Sequence, residues 1–96
     1  MIKFLKLTTM DEIIAQVKEV EDGYQLVWPM RVFTSKDDDG ETQNRVVPFA
    51  PHVKSHTIVV SEERVVYMAD PVPSLQEYYE KNIIAMLPVT EEKPTE

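Results

Sequence analysis

From the N-terminus the apolar residues recur with a period of two, the spacing of half-buried β-strands, and short polar turns separate the runs. Ile2–Leu7 is the first predicted strand, closed by Thr8-Thr9-Met10-Asp11. Glu12–Val20 is the second, with Ile13, Ala15 and Val17 on one face and Glu12, Gln16 and Lys18 on the other; Ile14 and Val20 interrupt the polar face. Glu21-Asp22-Gly23 forms the next turn, where Gly23 is expected to take a positive φ. Tyr24–Phe33 alternates again and sets Tyr24, Leu26, Trp28, Met30 and Val32 on a single face. Pro29 has no N–H for a ladder bond, so a bulge, bend or edge is predicted there. Ser35–Thr42, with Asp37-Asp38-Asp39-Gly40, has no apolar anchor and is expected to be a mobile acidic loop. Asn44–Ala50, Thr57–Ser61 and Arg64–Ala69 are three further short strands.

The period then changes. Pro71-Val72-Pro73 ends the β pattern, and Ser74-Leu75-Gln76-Glu77 reads as a capping box. Leu75, Tyr78, Tyr79, Ile83, Met86 and Leu87 recur at three- and four-residue spacing, predicting an amphipathic helix over about 74–87 that Pro88 stops. Tyr78 and Tyr79 point about 100° apart on such a helix, which leaves one of them for a neighbour. Residues 1–88 therefore read as one domain and 89–96 as an acidic flexible tail. Val46 with Val47, Ile58 with Val59 and Val60, and Val65 with Val66 make several strands apolar on both faces. A second apolar face needs a cover, either the helix or another subunit. The predicted class is mainly β: a small antiparallel sheet, with Pro and Gly at its bends, able to curl into a barrel, and a C-terminal α-helix.

Composition narrows the function. The 96 residues contain no cysteine, no apolar run of bilayer length and no signal-peptide pattern, so a soluble, cytoplasmic protein with no membrane partner is expected. The net charge of −7 repels polyanions, so any nucleic-acid site must be a local patch or rely on stacking. Only two glycines leave no phosphate cradle, and there is no nucleophile elbow or HExxH. Glu62 and Glu63 are neighbours in a turn, where side chains diverge, so no enzyme and no cofactor are expected. His52 and His56 sit in a Pro-containing loop, and Asp37-Asp38-Asp39 lacks the alternating ligands and closing glutamate of a calcium loop; no metal is expected. Arg45, Lys54 and Arg64, with His52 and His56, make the centre of the chain its most basic part and are candidate phosphate contacts.

Two segments resemble the Sm-like family (the Sm/LSm/Hfq superfamily). Phe4 to Val17, continuing through Asp22-Gly23-Tyr24-Gln25-Leu26, is similar to that family's first motif of strand, turn, strand, short loop and strand. Ile58-Val59-Val60-Ser61-Glu62-Glu63-Arg64-Val65-Val66-Tyr67-Met68 resembles its second, two hydrophobic strands around a very short turn. The whole sequence looks closest to a group of Sm-like proteins from marine phages of the cyanophage type, whose location would be the cytoplasm of a bacterial host. The resemblance implies a strongly bent antiparallel sheet closed into an Sm-like (SH3-like) barrel. It also implies a homo-oligomeric ring of roughly five to seven subunits, joined between the penultimate strand of one copy and the last strand of the next. Ile58, Val59, Val60, Val65, Val66 and Tyr67 are then the interface candidates. The same resemblance places Asp22, Tyr24 and Gln25 where the family contacts RNA. Tyr24 either stacks on a base or begins the inward stripe with Leu26 and Trp28. The chain departs from the family at Met10, where a glycine is usual, and at Ser61-Glu62, where Arg-Gly is usual and the arginine contacts RNA. Two readings follow: a ring that binds RNA or single-stranded nucleic acid, and a structural or adaptor ring that binds protein.

Overall fold

The computed structural model describes residues 1–84. Six strands, β1 (Ile2–Leu7), β2 (Glu12–Val20), β3 (Gly23–Lys36), β4 (Thr42–Pro48), β5 (Thr57–Ser61) and β6 (Val65–Ala69), form one antiparallel sheet. The order is β4-β3-β2-β1-β6, and β5 joins it by pairing with β3. Helix α1 (Pro73–Tyr79) follows and runs on as a π-helical turn over Glu80–Ile84. The end of the predicted helix, with Met86 and Leu87, and the predicted tail over 89–96 lie outside the described residues.

β3 organises the sheet because it is long and serves three neighbours. One edge pairs with β2 along most of its length; on the other edge Gly23–Val27 meet β5 and Met30–Lys36 meet β4. Between these halves the β2 register skips: Ile14 faces Met30 and Gln16 faces Val27, so Trp28 and Pro29 together oppose Ala15. This is the irregularity predicted at Pro29, a β-bulge with Trp28 at φ 51°. The bulge corrects the single-face reading of Tyr24–Phe33. An extra residue reverses which face the following side chains take. Tyr24 and Leu26 pack with Leu5, Leu7, Ile13 and Ala15 in a first core. Met30 and Val32 pack with Ile14 and Tyr79 in a second, on the other side of the sheet.

The second core answers the question of the doubly apolar strands for β4, through Val46, and leaves Val59 and Val66 of β5 and β6 uncovered. Leu75, Tyr79, Ile83 and Ile84 lay the helical segment over Ile2, Phe4, Ile14, Met30, Val32 and Val46. Ile14 is therefore no flaw in the pattern of β2; it is fully buried under the helix. The helix begins differently from the capping box expected at Ser74. Val72 is the N-cap, and its carbonyl accepts from the N–H groups of Leu75 (3.1 Å) and Gln76 (3.0 Å). Pro73 occupies the first helical position, where its fixed φ fits and its missing N–H costs nothing. Among the described residues no helix is long and apolar enough to cross a membrane.

Three turns differ from expectation for local reasons. The acidic loop is a hydrogen-bonded turn: Asp37 Oδ1 accepts from the N–H groups of Asp39 (3.0 Å) and Glu41 (2.8 Å), letting β3 extend to Lys36 and β4 begin at Thr42. In the β2–β3 turn Asp22, not Gly23, takes the left-handed conformation, at φ 67°. The last strand begins at Val65, because Glu62–Arg64 form a 3₁₀ turn. Met10, at the turn where a glycine is usual in the resembling family, adopts φ 76° and its N–H donates to the Leu7 carbonyl at 2.8 Å. Its side chain is exposed, so Met10→Gly relieves left-handed strain without removing packing. This variant is expected to gain roughly 1 kcal/mol, seen as a higher urea midpoint at unchanged slope.

Candidate assembly edges and nucleic-acid interface

Among the described residues β5 and β6 each have one partner. β5 pairs with β3, with Tyr24 opposite Val60 and Leu26 opposite Ile58. β6 pairs with β1, with Phe4 opposite Ala69 and Leu5 opposite Met68. Neither pairs with the other, and the sheet is not closed through them. Gly23 seats β5 for a steric reason: a Cβ at this position would overlap the carbonyl oxygen of Val60. The interface candidates divide by direction. Ile58, Val60 and Val65 pack against the first core. Val59, Val66 and Tyr67 remain 64, 56 and 44% exposed. Val66 is the extra residue where the β1–β6 register shifts, and the Tyr67 ring stacks on Phe4 with centroids 6.5 Å apart. Apolar side chains beside an unpaired backbone edge form a template for another strand.

Four of the six nucleic-acid candidates come to one end of the sheet. The N–H of Glu62 donates to the Asp22 carbonyl at 3.2 Å, joining the β2–β3 turn to the Glu62–Arg64 turn. The Arg64 carbonyl in turn accepts from Thr8 N–H at 2.8 Å. Asp22 and Arg64 thus flank a shared corner, with Tyr24 and Gln25 at the start of β3. Tyr24 is half-buried with its side chain packed against the first core, so its ring belongs to the inward stripe with Leu26. Gln25 is half-buried between Lys18 and Val59 in register. By sequence and register the corner carries Glu19, Glu21, Asp22, Glu62 and Glu63 against Lys18 and Arg64, a local excess of negative charge. The remaining two candidates stand elsewhere. Arg45 lies on the β3–β4 hairpin, where its Nε donates to Ser35 Oγ at 3.2 Å. Lys54 lies in the turn before β5, at the opposite end of that strand from Arg64. No three His, Asp or Glu side chains cluster to hold a metal among the described residues.

Two features of the molecule have no signal in the sequence. The first is the support of the β3 bend. The imidazole of His56 stacks on the Trp28 indole with centroids 3.7 Å apart and planes 11° apart. Ser55 and His56 reach this stack through left-handed conformations, at φ 58° and 48°. Behind the bend the Tyr79 hydroxyl sits 2.8 Å from the Trp28 carbonyl and 3.2 Å from that of Val27. Burial pushes this hydroxyl up to about 12, with hydrogen bonds to Gln16 pulling the other way. The second feature is a groove of about 470 Å³ between α1 and the sheet, floored by Phe4, Val32, Val46 and Leu75 and flanked by Val72 and Tyr78. Of the adjacent tyrosines, Tyr79 is fully buried and Tyr78 stays exposed beside this groove. The groove arises only when the helix docks, so no local pattern announces it. No protein-family model matches the chain, and no curated protein matches it.

Proposed function

We propose that this chain is a self-assembling β module whose copies join by pairing the β5 edge of one with the β6 edge of the next. More particularly, it is an Sm-like barrel that forms a homo-oligomeric ring and acts as a structural or adaptor unit. The observation that carries this reading is the pair of half-partnered edges, β5 and β6, with Val59, Val66 and Tyr67 exposed on them. Because the two edges differ, the contact is head-to-tail and closes into a ring when the rotation between copies allows. The strand order around β1, β2 and β3, the short turn between β5 and β6, and the left-handed Met10 where the family has glycine all support the Sm-like reading.

Light scattering tests assembly directly: a closed oligomer of fixed mass across dilution is expected, and a monomer at every concentration would reject the ring. Both Val59 and Val66 are exposed, so Val59→Lys with Val66→Lys should leave the fold intact while placing like charges at every junction. Dissociation is expected to rise at least tenfold, with unchanged far-UV circular dichroism.

A second reading, binding of RNA or single-stranded DNA, is favoured by the meeting of Asp22, Tyr24, Gln25 and Arg64 at one corner. The excess of acids over Lys18 and Arg64 at that corner and the inward Tyr24 ring set the adaptor reading ahead of it. Titration with labelled poly-U and poly-A at low and moderate salt separates the two. Salt-sensitive binding lost in Tyr24→Ala or Arg64→Glu, with the ring intact, supports the nucleic-acid reading; a ring blind to both RNAs supports the adaptor.

A further inference from the structure

We infer that the groove beside α1 is occupied by a second copy of this chain, through the loop that precedes β5. The inference rests on the proposed edge-to-edge assembly and adds a second contact to it. Every strand pairing in this sheet is antiparallel. Continuing that pattern from the β6 edge of one copy into the β5 edge of the next runs the two strands in opposite directions. The residues just before β5 of the second copy then come beside the residues just after β6 of the first. Those before β5 are Pro51-His52-Val53 and the Lys54–His56 turn; those after β6 are Asp70-Pro71-Val72.

The chemistry of the two sides matches. From Phe49 to His56 the loop has three titratable side chains, His52, Lys54 and His56, and no acid. Among the described residues, Glu12 and Asp70 are the only charged ones that line the groove. Asp70 already holds Lys3 at 2.6 Å, yet its side chain remains 81% exposed and open to a second cation. The apolar parts match as well: Val53 is exposed on the loop, and Val72 is 62% exposed at the mouth of the groove. Burying both on assembly removes apolar surface from water at two positions that a single copy leaves wet. Lys54 of the incoming copy would lie against Asp70, with Val53 on Val72.

The chain contains no cysteine, so a specific cross-link is a direct test. Val53→Cys and Val72→Cys are made as separate variants, both at exposed positions. Equal amounts are mixed, dissociated and reassembled, then treated with a short bis-maleimide. A covalent dimer is expected from the mixture and from neither variant alone, because a head-to-tail contact never brings a residue beside its own copy. As a second measurement, Lys54→Asp is expected to weaken assembly by roughly fivefold, and adding Asp70→Lys to the same chain should restore it. A parent protein that stays monomeric overturns both the ring and this contact. A parent that assembles, with no cross-link in the mixture and no rescue by the charge exchange, leaves the ring standing and overturns the groove's assignment to a second copy.

Discussion

Gly23→Ala is expected to be among the most damaging single methyl groups that can be added to this protein. The new Cβ overlaps the Val60 carbonyl oxygen, which belongs to backbone and cannot swing aside as a flexible side chain would. Relief requires β5 to move away from β3, and with it Ile58 and Val60 leave the first core. A loss of about 3 kcal/mol is expected in urea unfolding. The strand pairing gives the variant a second signature. Amide exchange should accelerate across Thr57–Ser61 far more than across β1 and β2, because β5 has no other partner in the described chain. An alanine tolerated at full stability with β5 still protected would contradict the close approach. Oligomer mass should fall together with β5 protection, since the displaced strand is one of the two proposed assembly edges.

Tyr79→Ala should have an effect of similar or greater size through a different part of the fold. The side chain is fully buried in the second core, beside Ile14 and Met30, and its hydroxyl binds the bend of β3. Truncation leaves a large cavity and strips the Trp28 and Val27 carbonyls of that hydroxyl, for a loss of about 3–5 kcal/mol. Tyr79→Phe isolates the hydroxyl and is expected to cost roughly 1–2 kcal/mol at neutral pH. The two residues also separate by pH. Burial raises the hydroxyl from 10.0 to about 12, so the native state disfavours the phenolate more than the unfolded chain does. The stabilisation is therefore complete below pH 10 and is lost as pH rises toward 12, by an amount on the order of 2–3 kcal/mol. The parent should lose most of this increment between neutral pH and pH 11.5 in urea unfolding, and Tyr79→Phe should not. An equal alkaline loss in both proteins would place the sensitive group elsewhere.

The strands were legible wherever alternation and turn chemistry acted locally. β1, β2 and β5 have the boundaries that their apolar periods predict, and the two-sided apolar runs called for a cover, which the helix supplies over Val46 and not over Val59 and Val66. The helix was legible from the spacing of Leu75, Tyr79 and Ile83. The misread parts depend on conformations that residue type does not announce. Trp28 in a left-handed conformation has no propensity behind it; only the packing of His56 on one side and Tyr79 on the other makes it affordable, and the face of Met30 and Val32 follows from it. Gly23 was assigned conformational freedom when its role is to leave space. Among the RNA-facing candidates, Asp22, Tyr24 and Gln25 rest on the family resemblance, and Arg45, Lys54 and Arg64 on charge alone. The fold turns Tyr24 inward, carries Arg45 away on the β3–β4 hairpin, and sets Lys54 and Arg64 at opposite ends of β5.

The stacked pair at the β3 bend also makes the protein its own optical probe. Trp28 is the sole tryptophan, and its partner His56 is the residue immediately before β5. An indole in face-to-face contact with an imidazole emits differently from one in water, so tryptophan emission reads whether the entrance to β5 is in place. No label is needed, and no tyrosine-rich background at long wavelength competes with it. Spectroscopically, the molecule reports on the very edge through which its copies are proposed to meet.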